Sequence, residues 1–405
     1  VTIRNAGIVL EITGLGKISP GTFLDMVRNQ VSLKVSDCQW DEVCYNPDGH
    51  KTTERGVTMK LVNWLLLLVP VAIVSEYLHG PVFLTFVAAA LGVIPLAAIT
   101  GEATEHLAVH TGPRLGGFLN ATLGNAAELI ITFFAIRAGL LELVKASITG
   151  SILGNLLLVM GLSILVGGLR HGQQKFDRVR AGLDATMLIL AIIALGVPSL
   201  FSHAIELVSH DSVEYLSLGV AVAMLLIYGL GLLYSFMSVT QQEHVETRGE
   251  TSWSVRKSVL VLAVATAFIA WLSEMLVGAV EPVLERLGWT EFFLGIVVIP
   301  LVGNVAEHLT AVTVAAKNRM DMSLEISVGS SLQVALFVAP VLVFISLLMG
   351  NPLTLVFNQF ELIALAAAAL ISALVALDGQ SNWMEGAQLL VVYVILAMAF
   401  FFLPA

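Results

Sequence analysis

From residue 61 onward the chain is written in apolar runs of membrane length, each separated from the next by a short polar stretch. A membrane-crossing helix needs about 20 mainly apolar residues. Eleven stretches meet that pattern: 61–78, 81–101, 115–136, 146–168, 183–201, 214–236, 257–280, 292–315, 323–349, 360–377 and 386–403. The prediction is an all-α membrane protein of about eleven transmembrane helices. Several runs contain Gly, Asn, Ser or Glu, which helices facing lipid avoid, so these residues are expected to face the interior of the bundle.

Composition agrees with the pattern. Of 405 residues 57% are hydrophobic and 12% charged, and mean hydropathy is +0.89, which excludes an ordinary soluble domain. The net charge of −10 lies mostly in loops and the tail and carries no signal for nucleic acid. The distribution of cations says more. The loops between spans 2–3, 4–5, 6–7 and 8–9 hold ten Lys and Arg, while the alternate loops hold only Arg137, Lys145 and Arg286. The positive-inside rule places the richer set, with the N-terminus, in the cytoplasm.

Within the runs one phrase occurs twice, as Gly124-Asn125-Ala126-Ala127-Glu128 and Gly303-Asn304-Val305-Ala306-Glu307. A second matched pair, Gly150-Ser151 and Gly329-Ser330, repeats at the same offset along the chain. Spans 2–6 and 7–11 therefore form two repeats of five, with span 1 outside them. An odd number of spans per repeat inverts the second copy, an arrangement found in many secondary transporters. The expected organisation is a tail over 1–58, a first helix over 59–79, repeat 1 over 80–236, a cytoplasmic linker over 237–256 and repeat 2 over 257–405. The linker carries Glu243, Glu246 and Glu250 at the spacing of one helix face; it reads either as a solvated connection or as a short acidic helix. The tail reads as a regulatory segment, a poorly ordered extension or a gene-start artefact, because Val1 opens the chain and Met59-Lys60 immediately precedes the first span. Its cysteines, Cys38 and Cys44, are expected to be reduced in the cytoplasm.

The repeated carboxylates carry the chemistry. Asn125 and Glu128, and likewise Asn304 and Glu307, are three apart and share a helix face. Gly124 and Gly303, with Pro300 upstream, are expected to break the helix locally and free carbonyls toward a cavity. A carboxylate at the bilayer centre costs about 2.5–3.5 kcal/mol on insertion scales, and a divalent cation between two of them offsets that cost. Carboxylate, amide and hydroxyl oxygens suit a hard cation such as Ca²⁺; the spans hold no Cys, which argues against zinc or copper. The expected metal ligands are Glu128, Glu307, Asn125 and Asn304. In low dielectric two close carboxylates retain a proton when the metal is absent, so Ca²⁺ and protons compete for the pair, which titrates as a unit. Ser151, Ser330 and Gln333 sit where they can ligate or support the carboxylates, or simply pack helices. Asn155 is read as a ligand or an interhelical bond, and His308 as a proton relay or a helix tie. Glu105 and Glu274 are read as steps on an ion path or, for Glu105, an interfacial residue.

These motifs resemble those of the Ca²⁺/H⁺ antiporters, the cation exchanger family of the calcium/cation antiporter superfamily. The resemblance covers about residues 60–405 and rests on GNAAELI at 124–130, GNVAEH at 303–308, GSSLQVALF at 329–337 and DGQSNWMEG at 378–386. It implies eleven spans in two inverted repeats plus an extra first helix. It also implies exchange at Glu128 and Glu307, a cavity lined by Asn125, Asn304, Ser330 and Gln333, and an acidic cytoplasmic helix over Glu243–Glu250. Ca²⁺ and H⁺ are then transported substrates, with no cofactor, no nucleic acid and a lipid bilayer as the surroundings; a homo-oligomer is compatible with it. The short loops favour the plasma membrane of a bacterium or archaeon over a vacuole. Exchange of Na⁺ for Ca²⁺, or of Mn²⁺, is the alternative within transport. An intramembrane hydrolase using Ser330 or Ser331 with His308 lacks a nucleophile-elbow phrase.

Overall fold

The computed structural model describes residues 2–5, 8–11, 44–45, 51–52, 64–206, 211–238 and 253–403. The chain divides into two units, Val1–Trp64 and Leu65–Ala405. In the first, the described residues form two antiparallel ladders. One pairs β1 (Thr2–Asn5) with β2 (Ile8–Glu11), and the other pairs β3 (Cys44–Tyr45) with β4 (Lys51–Thr52). The expectations for Cys38 and for Glu243, Glu246 and Glu250 fall outside the described residues.

The second unit is helical. Its elements are α1 (Leu68–Tyr77), α2 (Val82–Leu123), α3 (Ala126–Arg137), α4 (Leu141–His171), α5 (Arg178–Glu206) and α6 (Asp211–Ser238). After the linker come α7 (Val255–Gly278), α8 (Val280–Leu287), α9 (Glu291–Ala315), α10 (Met320–Met349), α11 (Gln359–Ala376) and α12 (Trp383–Phe402). Nine helices among the described residues are long and apolar enough to cross a membrane, so this is a multi-pass membrane protein. The first and third expected spans are shorter: α1 lies in the short apolar helix Leu65–Tyr77, and α3 has 12 residues.

The third span is assembled from two pieces. α2 is helical without interruption for 42 residues, yet it is not straight. Residues eight apart in a straight helix are about 12 Å apart, whereas a Cβ on Gly116 would lie 2.8 Å from the Ala108 carbonyl oxygen. The chain therefore doubles back near the end of the apolar span Val82–Thr111. Its returning leg runs to Leu123, breaks at Gly124-Asn125 and resumes as α3.

The repeat is visible in the elements themselves. α4 and α10 begin at Leu141 and Met320, separated by the same offset as the repeated phrase, and contain π-helical turns at Gly154–Val159 and Val334–Val338. Four membrane-length helices (α4, α5, α6 and α7) lie between the two copies of the phrase, so the second copy runs in the opposite sense to the first.

One local expectation is corrected. The first copy breaks at Gly124-Asn125, but α9 stays helical through Gly303-Asn304. Its irregularity sits upstream, in a π-helical turn at Leu294–Val298. Pro300 explains the shift: it has no N–H to give the carbonyl of Ile296, and the wider turn accommodates the missing bond. That same stretch meets Gly150 of α4, where any Cβ would collide with the Ile296 backbone.

Candidate functional site

Glu128 stands in the first turn of α3, directly after the chain break, and is buried. Ser151 Oγ of α4 and Asn304 Nδ2 of α9 both donate to its Oε1, Asn304 at 2.5 Å. Gly303 permits the approach, since a Cβ there would stand 3.1 Å from Glu128 Cγ. Glu307, half-buried on α9, accepts from Ser330 Oγ of α10 at 2.8 Å. Each carboxylate is thus held by a serine 23 residues further on, carried by the next helix of its own repeat. The repeat in sequence has become a repeat in hydrogen bonding.

Hydrogen bonds also cross between the repeats. Asn304 reaches Glu128, Asn155 Nδ2 donates to Ser330 Oγ at 3.0 Å, and Asn125 Nδ2 donates to Gln333 Oε1 at 2.7 Å. His308 Nε2 lies 3.2 Å from Asn155 Oδ1, which is the interhelical tie considered for it. Asn125, Ser151, Asn155, Asn304 and Ser330 are buried, while Gln333 and His308 are half-buried. The two carboxylates and every residue expected to line their cavity therefore gather where α3, α4, α9 and α10 meet.

The two halves are not identical. At the repeat offset, Gln333 corresponds to Gly154, Asn155 to Val334 and His308 to Leu129. Asn304 consequently reaches across to the opposite carboxylate, whereas Asn125 bonds Gln333 instead. Among the described residues no three His, Cys, Asp or Glu side chains converge as a metal cluster. A cation here would be held by two carboxylates and by neutral amide and hydroxyl oxygens, a donor set suited to a hard ion.

Glu105 and Glu274 do not join this cluster. Glu105 is exposed on α2. Glu274, on α7, forms an exposed ion pair with Arg137 at 3.4 Å, and that pairing accounts for a charge inside an apolar run. The sequence reading missed a further buried carboxylate, Glu361, which lies in the first turn of α11 and accepts from Thr149 of α4 at 3.0 Å. The signal was present as Asn358-x-x-Glu361, the spacing of a helix capping box, which the structure contains.

Helices repeated with inverted sense around two intramembrane carboxylates, joined through hydrogen bonds that cross between the repeats, define a membrane transporter of the secondary type. The chain belongs to the sodium/calcium exchanger protein family, whose model matches residues 81–237 and 257–402. It is 44% identical over 357 residues to a Ca(2+)/H(+) antiporter of Aphanothece halophytica, covering 84% of this chain and 96% of that one. It is 43% identical over 342 residues to the Ca(2+)/H(+) antiporter ChaA of Bacillus subtilis (strain 168), covering 83% and 97%. The solved structure of native YfkE matches with a TM-score of 0.75 at 40% identity, over 85% of this chain and all of that one.

Proposed function

We propose that this protein exchanges Ca²⁺ for protons across a membrane, with Glu128 and Glu307 as the shared site for both ions. The relatives that match over nearly their whole length are Ca²⁺/H⁺ antiporters, so the chain is a transporter rather than an enzyme, with Ca²⁺ and H⁺ as its substrates. The observation that carries the residue assignment is the crossing of bonds between repeats: Asn304 on Glu128 and Asn155 on Ser330. A cation seated there touches both halves of the molecule, so a change in their relative position changes its access. Protonation removes the negative charge that binds Ca²⁺, and Ca²⁺ disfavours the protonated carboxyls. Competition of this kind, with the site opened to one face at a time, is sufficient for antiport.

Asn125, Asn304, Ser151, Ser330 and Gln333 supply neutral oxygens or orient the carboxylates, and Asn155 and His308 brace Ser330. The purified protein in liposomes tests the reading. An outward proton gradient imposed without Na⁺ should drive Ca²⁺ accumulation against its own gradient. Ca²⁺ flux that follows a Na⁺ gradient and ignores pH would instead assign sodium coupling.

A further inference from the structure

The face of α4 turned away from the exchange site is fastened to α11 and to the segment leading into it. Lys145 Nζ donates to the Val356 carbonyl at 2.9 Å, Thr149 Oγ1 donates to Glu361 Oε1 at 3.0 Å, and Ser372 Oγ donates to the Leu156 carbonyl at 3.4 Å. Positions 145, 149 and 156 fall on one stripe of a helix, while Ser151, two residues beyond Thr149, projects about 200° around it. One side of α4 therefore grips Glu361 while the other grips Glu128.

Glu361 is fully buried. Its Oε2 accepts the Asn358 N–H at 2.9 Å and closes the cap of α11, and Lys145 lies within electrostatic reach. A cap alone needs one carboxylate oxygen; the other is committed to a hydroxyl in the opposite repeat. The counterpart seam is built differently. At the repeat offset Lys145 and Thr149 become Leu324 and Val328, which line a cavity among α10, α5, α4 and α11 with Asp184, Leu188, Met160 and Ser372. Among the described residues, only the Glu128 half has its serine-bearing helix tied from behind by a buried carboxylate.

We propose that Glu361 is a positioning residue for the exchange site: through Thr149 it fixes the rotation and height of α4, so that Ser151 meets Glu128 and Asn155 meets Ser330. Glu361 itself touches neither the transported ion nor Glu128. The inference rests on the Ca²⁺/H⁺ reading for the identity of the ion, and its test is kept separate from transport.

Ca²⁺ binding to the full-length protein in detergent, measured by calorimetry, reads the effect directly. Thr149→Val keeps the side-chain shape and removes only the hydroxyl, which avoids the folding risk of changing Glu361. It should weaken Ca²⁺ binding about tenfold, the lower end of what outer supporting partners contribute at metal sites, with a modest fall in melting temperature from the Glu361 oxygen left unpaired. Thr149→Ser should restore binding, and Glu361→Gln should weaken it as Thr149→Val does. On a Ser151→Ala background Thr149→Val should weaken binding less than it does alone, because the two substitutions share the Ser151–Glu128 contact and only the Asn155–Ser330 contact remains to be lost. Wild-type affinity in Thr149→Val, or an effect that multiplies with Ser151→Ala, would overturn the proposal. Failure of a proton gradient to drive Ca²⁺ uptake in the wild type would count against the exchange reading alone.

Discussion

Glu128 keeps one carboxylate oxygen, Oε2, buried and without a hydrogen-bond partner among the described residues, while Oε1 takes bonds from both Ser151 and Asn304. An anion so placed is costly unless a proton or a cation shares it. Substituting Glu128→Gln or Glu307→Gln retains shape and removes the charge. Each should lower ΔpH-driven Ca²⁺ uptake by more than about 100-fold, since even outer partners of a metal site contribute about 10–100-fold. Size-exclusion profiles and melting temperatures should stay close to wild type, and uptake at wild-type rates in either variant would remove that carboxylate from the site. These two residues were legible in the sequence because a carboxylate in an apolar run is expensive and a duplicated one is rarely packing. Glu361 was less legible. It occurs once, at the edge of a run, and Thr149 is one of several hydroxyl residues in the apolar runs.

At the scale of elements, α4 and α9 cross where both lack side chains. A Cβ at Gly150 would collide with Ile296, and one at Gly295 would stand 2.5 Å from Ala146 Cβ. The counterpart of Gly150, Gly329, has nothing within 4 Å. Gly150→Ala should therefore destabilise the protein by about 1–3 kcal/mol, the usual range for overpacking, and lower its melting temperature. Gly329→Ala should leave stability unchanged or slightly raised, because alanine favours a helix over glycine. Equal melting temperatures for the two variants would show that the crossing is not tight. Nine membrane-length helices among the described residues followed from hydrophobic run length, but the shorter first and third elements and the breaks did not. The sequence marks weak points at Gly124, Gly303 and Pro300, but not that in the second copy Pro300 wins over Gly303 and sets the irregularity upstream, at Leu294–Val298. Lys145 likewise reads as a loop residue, yet α4 begins at Leu141 and carries it onto the seam with α11.

For the whole molecule, inversion of the repeats brings Glu128 and Glu307 to one place from helices of opposite sense, and bonds between repeats close the site. Protons and Ca²⁺ arriving from the same side should then compete. Acidifying the Ca²⁺-containing side should raise the apparent KM for Ca²⁺ and leave the maximal rate at saturating Ca²⁺ unchanged; a fall in the maximal rate with constant KM would place the protons elsewhere. The central claim is that one pair of carboxylates binds either ion, and proton release on Ca²⁺ binding tests it most directly. Ca²⁺ added to purified protein in weakly buffered detergent solution should release protons from the wild type and none from the Glu128→Gln/Glu307→Gln double variant. Ca²⁺ binding to the wild type without proton release, across the pH range of transport, would contradict a shared site.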